Sequence, residues 1–302
     1  MTPQLAIRQA PSQEKLNVML MTGTDFVPNV QDMIDRFNLP YLIIERPGWD
    51  GQDDCKRWTT KNKLTPGEQA LEKFITVDPD TIKMKHYASL MAPTPYPVLI
   101  TGETGTGKEI LARAMLHDRK GMFKAVNCAG LPEQLIESEL FGHVKGAFTG
   151  AEFTKEGMIS AAVDGVMFLD EVSEMPMAMQ SKMLRVLQER KVRKVGSNKD
   201  EDINCKFVFA TNKCIKELVN NGTFKKDLFA RISTLELNIK PLLPDRKCDI
   251  IPIIKSLEGG AEFLAKYQST IEVGGLDLSL NVRSLEQHVI RFNVLGTVLL
   301  NA

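Results

Sequence analysis

The stretch PVLITGETGTGKE, residues 97–109, carries the residue types needed to grip a phosphate chain. Gly102 and Gly107 bracket a short loop, and Lys108 follows directly. Glycines let a backbone wrap tightly, so that its N–H groups point inward at phosphate oxygens. A helix opening at the end of the loop adds its positive dipole end. The candidate phosphate-binding set is therefore Gly102, Glu103, Thr104, Gly105, Thr106, Gly107, Lys108 and Glu109, with Lys108 reaching the β- and γ-phosphates. Glu109 departs from the general motif, which places Ser or Thr after the lysine to bind Mg²⁺. A second acidic half is expected at the tip of a buried strand. VMFLDE supplies it: Asp170 would hold Mg²⁺, mainly through water, and Glu171 would polarise an attacking water. A strand that merely ends in two exposed acids is the plainer reading; the phosphate loop upstream favours the catalytic one. FVFATN places Thr211 and Asn212 at another strand tip, either to sense a γ-phosphate or as an ordinary turn.

These groups need a scaffold that brings distant strand ends together. Short apolar runs predict strands at Pro97–Ile100, Phe123–Asn127, Val166–Leu169, Phe207–Ala210 and Leu235–Ile239. Helical spacing predicts helices over Gly107–His117, with Ile110, Leu111, Ala114 and Met115 on one face, and over Met179–Arg190, with Met179, Met183, Leu184 and Leu187. Strand–helix alternation with mostly unbroken apolar strands predicts an α/β fold with a parallel five-stranded sheet covered on both faces. After Pro241 the pattern turns helical, which predicts a small all-helical subdomain. The expected organisation is an N-terminal segment of unknown role over 1–66, a nucleotide-binding αβα subdomain over 67–240 and a helical lid over 241–302. Within the first segment, LPYLIIE around Ile43 predicts a short strand and VQDMIDRF a short helix. GWDGQDDC lacks the spaced ligands of a calcium loop.

The composition is that of a globular chain: 302 residues, 43% hydrophobic, 25% charged and net charge +0. Neutrality excludes a global pull toward nucleic acid, so any such surface must be local. One candidate is Ser181–Lys199, with seven Lys or Arg and one Glu, which either approaches DNA nonspecifically or is a solvated surface. The longest apolar runs are far shorter than a membrane span, and no signal pattern opens the chain. Five scattered cysteines without CxxC spacing fit reduced thiols and a cytoplasmic location. GAFTGA, residues Gly146, Ala147, Phe148, Thr149, Gly150 and Ala151, fits no helix or strand rule; two glycines flank an apolar and a polar contact.

GETGTGKE, AVNCAGLPEQLIESELFGH, GAFTGA, FLDE and ATN, in that order, resemble the AAA+ ATPase central domain of bacterial sigma-54-dependent activators, the enhancer-binding proteins. The resemblance covers roughly Leu64 to Phe292 and includes glutamate after the lysine. It implies an αβα P-loop AAA+ fold with a helical lid, ATP and Mg²⁺ as cofactors, and a ring, usually a hexamer, with ATP held between neighbours. By the same resemblance, Asn127 pairs with Glu171 and links hydrolysis to the loop. Arg283, in NVRSL, contacts nucleotide, and Arg231, in FKKDLFARI, reaches a neighbour's site. Lys225 stands where the family usually has a second arginine; it keeps the charge and loses the planar fork. The resemblance further implies that GAFTGA is the loop that touches sigma-54 RNA polymerase holoenzyme.

The chain departs from the family's pattern elsewhere. The length before the core predicts no receiver domain, and that after Arg283 predicts no sequence-specific DNA-reading helix pair. The leading expectation is a ring ATPase that remodels the sigma-54 polymerase closed complex to activate transcription. Two others stay open: a remodelling ATPase of phage or mobile-element origin with a different client, and an ATP-binding partner in mixed rings.

Overall fold

The computed structural model of the chain describes residues 19–20, 43–44, 66–130, 132–272 and 274–298. Residues 1–64 and 65–302 form separate units. In the first, Met19–Leu20 and Ile43–Ile44 pair as parallel two-residue strands, so the strand expected around Ile43 is present and short. The helix expected over VQDMIDRF lies outside the described residues.

The second unit opens with helices α1 (Pro66–Glu72) and α2 (Pro79–Met91). Asp78 caps α2 by accepting the Thr81 amide at 2.8 Å, and Pro79 suits the first turn because it has no N–H to leave unpaired. Five strands follow, alternating with helices: β1 (Val98–Gly102), α3 (Lys108–Ala114), β2 (Phe123–Asn127), α4 (Glu133–Phe141), β3 (Val166–Asp170), α5 (Met177–Glu189), β4 (Lys206–Thr211), α6 (Lys226–Ile232) and β5 (Leu235–Ile239). They form one sheet, β5-β1-β4-β3-β2, with every pairing parallel.

Burial along the strands explains their sequences. β4 is buried at every residue, and β1 and β3 over most of their length. Successive side chains feed opposite faces: Phe207 and Phe209 join the core containing Met179, Met183 and Leu187, whereas Val208 and Ala210 join the one containing Leu111 and Met115. Each of the Phe, Val, Leu and Met side chains among them, taken out of water, stabilises the fold by about 1.5–3 kcal/mol. The edge strands FKAVN and LELNI keep one wet face and alternate instead. Helix α3 stops short of His117, which itself adopts φ 47. Gly67 of α1 packs against that end and donates its amide to the His117 carbonyl at 3.2 Å.

Two hairpins interrupt the pattern, neither of them legible as strands. Gly142–His143 pairs with Lys155–Glu156, and Lys191–Arg193 pairs with Asp200–Asp202, both antiparallel. Beyond β5, helices α7 (Ile250–Ser256), α8 (Gly260–Glu272) and α9 (Val282–Leu295) enclose a core of their own, including Leu242, Ile254, Phe263, Leu285 and Val289.

Candidate nucleotide site and loop

The parallel register puts the chemistry at one end of the sheet. Asn127 stands opposite Asp170, and Thr211 opposite Thr101, one residue before Gly102. The sheet order reverses direction at β1, so the loop after β1 opens into the crevice where α/β sheets bind ligands.

That loop is fixed by close approaches. Gly105 has φ 77, and a Cβ there would lie 2.0 Å from the Leu280 carbonyl oxygen. Gly107 has φ 103 and packs against the Phe74 ring, 2.9 Å from where its Cβ would be. The buried Thr106 hydroxyl donates to the Glu103 carbonyl at 2.8 Å. Lys108 is buried, and its Nζ donates to the Gly102 and Glu103 carbonyls at 2.8 and 3.0 Å. Burial pulls its pKa below the ordinary lysine value, Glu171 and Asp170 oppose that, and Arg283 adds to it. Asn212 donates from Nδ2 to the Thr104 hydroxyl at 3.2 Å, tying the β4 tip to the loop. Glu109 turns outward and pairs with Arg113 at 2.7 Å, one helical turn on.

The acidic tip is equally defined. Glu171 adopts φ 50, ψ 47, and its amide donates to Asp170 Oδ1 at 2.9 Å. Asn127 accepts the Ala129 amide at 2.7 Å through Oδ1, the bond that orients it beside Asp170. Among the described residues, no cluster of three or more His, Cys, Asp or Glu makes a metal cage. This donor set suits Mg²⁺, which keeps several waters and takes one or two carboxylates together with phosphate oxygens. Asp170 is the residue that would supply the carboxylate. Burial, with Asp170 and Glu171 beside it, pushes the Cys128 thiol up to about 12, so that thiol stays protonated.

A cleft of about 90 Å³ adjoins the loop, walled by Phe74, Ile75, Ile110, Ile253, Leu257 and Val282. It is mostly apolar and joins the loop to the helices after β5, as a flat heterocycle beside a phosphate chain requires. Sequence reasoning missed Phe74 and Ile75; an apolar pair in the linker before α2 was the available signal. A larger cavity, about 270 Å³, lies between α4, α5 and the second hairpin, and none of its lining residues belongs to the phosphate loop or acidic tip. Lys108, Asp170 and Glu171 lie at the sheet's end, away from this larger cavity, and make up the candidate nucleotide site.

Arg283, the second residue of α9, sets its Cβ against Gly105. Lys225 caps the start of α6 and Arg231 lies in its last turn, and α6 packs on α5: the Lys225 amide donates to Gln180 Oε1 at 2.8 Å, and Arg231 contacts the Leu187 carbonyl at 3.5 Å. Among the described residues, no hydrogen bond or ion pair joins either to the phosphate loop of the same chain.

GAFTGA is the tip of the first hairpin. Gly146 (φ 81) and Gly150 (φ 95) take left-handed conformations in open space. The Gly146 amide donates to the Ala151 carbonyl at 2.9 Å, and the Ala151 amide to the Phe148 carbonyl at 3.0 Å, closing the loop. Phe148 is 37% exposed because its ring lies edge-on to His143 at 5.0 Å. His143 is held in turn by the Ser138 hydroxyl at 2.8 Å. Val195 of the second hairpin bonds to Val144 and Gly142, so the hairpins are stitched together. The basic run of Ser181–Lys199 is largely neutralised. Lys182 pairs with Glu137, Arg185 with Glu189, Lys191 with Asp202, Arg193 with Asp200 and Lys194 with Glu201, while Arg190 donates to two carbonyls.

The sheet order, the phosphate loop and the acidic strand tip together define a P-loop α/β nucleotide-binding fold of the AAA+ kind. The family model described as "Sigma-54 interaction domain" matches residues 74–238. The chain belongs to that family. It is 46% identical over 187 residues to the transcriptional regulatory protein GlrR of Escherichia coli (strain K12), covering 61% of this chain and 42% of that one. It is 41% identical over 211 residues to the sigma54-dependent transcriptional activator SfnR of Pseudomonas putida, covering 68% of this chain and 56% of that one. NtrX from Brucella abortus, solved in complex with ATP, superposes with a TM-score of 0.60 at 25% identity, covering 92% of this chain and 66% of that chain. The chain thus spans 42% to 56% of the length of these two curated relatives.

Proposed function

We propose that this chain is an ATP-hydrolysing AAA+ ring ATPase that contacts sigma-54 through GAFTGA and remodels the polymerase closed complex to activate transcription. The observation that carries the reading is the convergence of Lys108, Asp170, Glu171 and Asn212 at one end of the parallel sheet, with the GAFTGA hairpin hung from the helix that follows β2. Lys108 exchanges its carbonyl partners for the β- and γ-phosphates, and Gly102 to Gly107 wrap them with backbone amides. The heterocycle enters the cleft walled by Phe74 and Ile253. Glu171 orients and polarises the attacking water, and Asn127 pairs with Glu171 and relays its state toward α4 and the GAFTGA loop. Asn212 reads the γ-phosphate through its link to Thr104. Asp170, through water, would hold Mg²⁺, which when bound would supply charge neutralisation at the phosphates. Arg231, with Lys225 near it, serves a neighbour's site, and Arg283 serves its own. The ring is a hexamer, the working location is the cytoplasm, and residues 67–240 and 241–302 act as nucleotide-binding subdomain and lid. DNA contact by the second hairpin is secondary, because Lys191, Arg193 and Lys194 are already paired with acids. None of the described helices is long and apolar enough to cross a membrane.

The test is binding to sigma-54 with a transition-state ATP analogue. A complex that forms with the analogue and not with ADP is expected; no complex with nucleotide confirmed bound rejects sigma-54 as client. ATP turnover per chain is expected to fall on dilution through ring dissociation, and turnover independent of dilution rejects a site shared between neighbours.

A further inference from the structure

Asn281 is 2% exposed and stands immediately before α9 with φ 54, ψ −129. Glycine adopts that backbone freely; a residue with a side chain holds it only where the surroundings compel it. Here every hydrogen-bonding atom of the carboxamide is used. Nδ2 donates to Glu103 Oε2 at 3.1 Å and to the Thr104 carbonyl at 3.1 Å. Oδ1 accepts the Leu242 amide at 2.6 Å. The next residue continues the seam: the Val282 amide donates to the Gly105 carbonyl at 3.0 Å. One side chain thus joins three segments distant in sequence: the first half of the phosphate loop, the exit from β5, and the start of the helix carrying Arg283.

We propose that Asn281 is a positioning residue that sets the phosphate loop from the lid side, so that nucleotide affinity depends on lid placement. The inference rests on the nucleotide-site reading above. The chemistry demands a carboxamide. Its two N–H groups meet a carboxylate and a carbonyl, while its oxygen meets an amide, a combination of donors and acceptor that Asp, Leu or Ser cannot reproduce. Asp would set a carboxylate against Glu103 and the Thr104 carbonyl. Gly would fit the backbone and cut all three side-chain bonds. Asn281 also complements Asn212, which holds Thr104 through its hydroxyl from the β4 side, so the loop is gripped from both flanks.

The experiment compares wild type, Asn281→Gly, Asn281→Asp and the double variant Asn281→Asp with Glu103→Gln, using ATP as the probe. Wild-type binding and turnover are measured first; their absence rejects the nucleotide-site reading and, with it, this proposal. With wild type active, the variants test Asn281 alone. Asn281→Gly is expected to raise KM for ATP about tenfold while kcat stays within about threefold, the signature of lost uniform binding. Its melting temperature without nucleotide stays close to wild type, because relief of the strained backbone offsets the lost bonds. Asn281→Asp is expected to bind more weakly still. The added Glu103→Gln gives the new carboxylate a donor again and recovers part of the lost affinity. Unchanged KM in a folded Asn281→Gly, or a double variant no better than Asn281→Asp, overturns the proposal. Should Asn281→Gly fail to fold, the Asp pair decides it alone.

Discussion

At Glu171 the chain turns through the left-handed region, φ 50 and ψ 47, immediately after a strand buried nearly to its end. A non-glycine residue holds such a turn at some cost, and here the cost sets the carboxylate beyond the sheet rather than along it. The Asp170 carboxylate, fixed by the Glu171 amide, stays at the tip. In the proposed mechanism these two adjacent acids take separate tasks, Asp170 toward metal and Glu171 toward water. Glu171→Gln keeps the shape and removes the base. ATP turnover is expected to fall by about 10²-fold or more, with nucleotide still raising the melting temperature. Turnover at the wild-type rate would remove Glu171 from the water-activating role.

The hairpin carrying GAFTGA is the element whose behaviour follows least from secondary-structure rules. Its tip is closed by backbone bonds and weighted by Phe148 on His143, while Phe153 nearby is 77% exposed. Among the described residues, no hydrogen bond or ring contact joins the tip to the phosphate loop. Phe148→Ala and Thr149→Ala are therefore expected to leave ATP hydrolysis within about twofold of wild type and to abolish capture of sigma-54. Pull-down with the transition-state analogue, run beside a phosphate-release assay, separates the two effects. A parallel loss of hydrolysis would tie the tip to the catalytic site. A second element-scale junction is the linker before α2. Asp249, fully buried, pairs with buried Arg246 at 2.8 Å and also accepts the Thr76 hydroxyl and the Val77 and Asp78 amides. The linker that walls the nucleotide cleft is thereby bolted to the lid. Asp249→Asn leaves the guanidinium buried without its counter-charge, and urea denaturation is expected to show a loss of about 3–5 kcal/mol.

Across the whole molecule, the two ends of the sheet have opposite characters. At the nucleotide end, acids offset the buried Lys108. At the other end, Lys206, only 1% exposed, donates to the Met91, Thr94 and Tyr96 carbonyls at 2.9 Å, and the charges that act on it are Arg119 and Arg190 rather than acids. Burial, reinforced by those two guanidiniums, lowers its pKa to about 7. An unfolded lysine titrates near 10.4. Between roughly pH 7 and pH 10 the unfolded chain therefore binds the more protons, and stability from this group rises with pH. Relative to Lys206→Met, wild type is expected to gain on the order of 1–2 kcal/mol between pH 7 and pH 9 in chemical denaturation. A flat or falling difference would mean that the carbonyl cage keeps the ammonium charged throughout.

Sequence alone determined the five strands, the two helices that pack on opposite faces of their sheet, and the glycine-rich loop between β1 and α3, because each rests on local information. A fully buried strand must be apolar throughout, and a tight phosphate loop must be glycine-rich. Membership of the sigma-54 interaction domain family was legible for the same reason, from short motifs in a fixed order. Strand limits shifted by a residue or two, since the tips Lys206 and Thr211 are polar yet buried and paired. The tertiary structure alone decided which distant groups meet. The apolar cleft of Phe74, Ile110 and Ile253 draws on three segments, and no one of them is distinctive by itself. The basic run looked like a cationic surface until folding set Glu137, Asp200, Glu201 and Asp202 against it. Asn281 is an unremarked residue in a short motif until the lid lays it across the phosphate loop. Such contacts join residues far apart along the chain, and only packing, not local propensity, selects them.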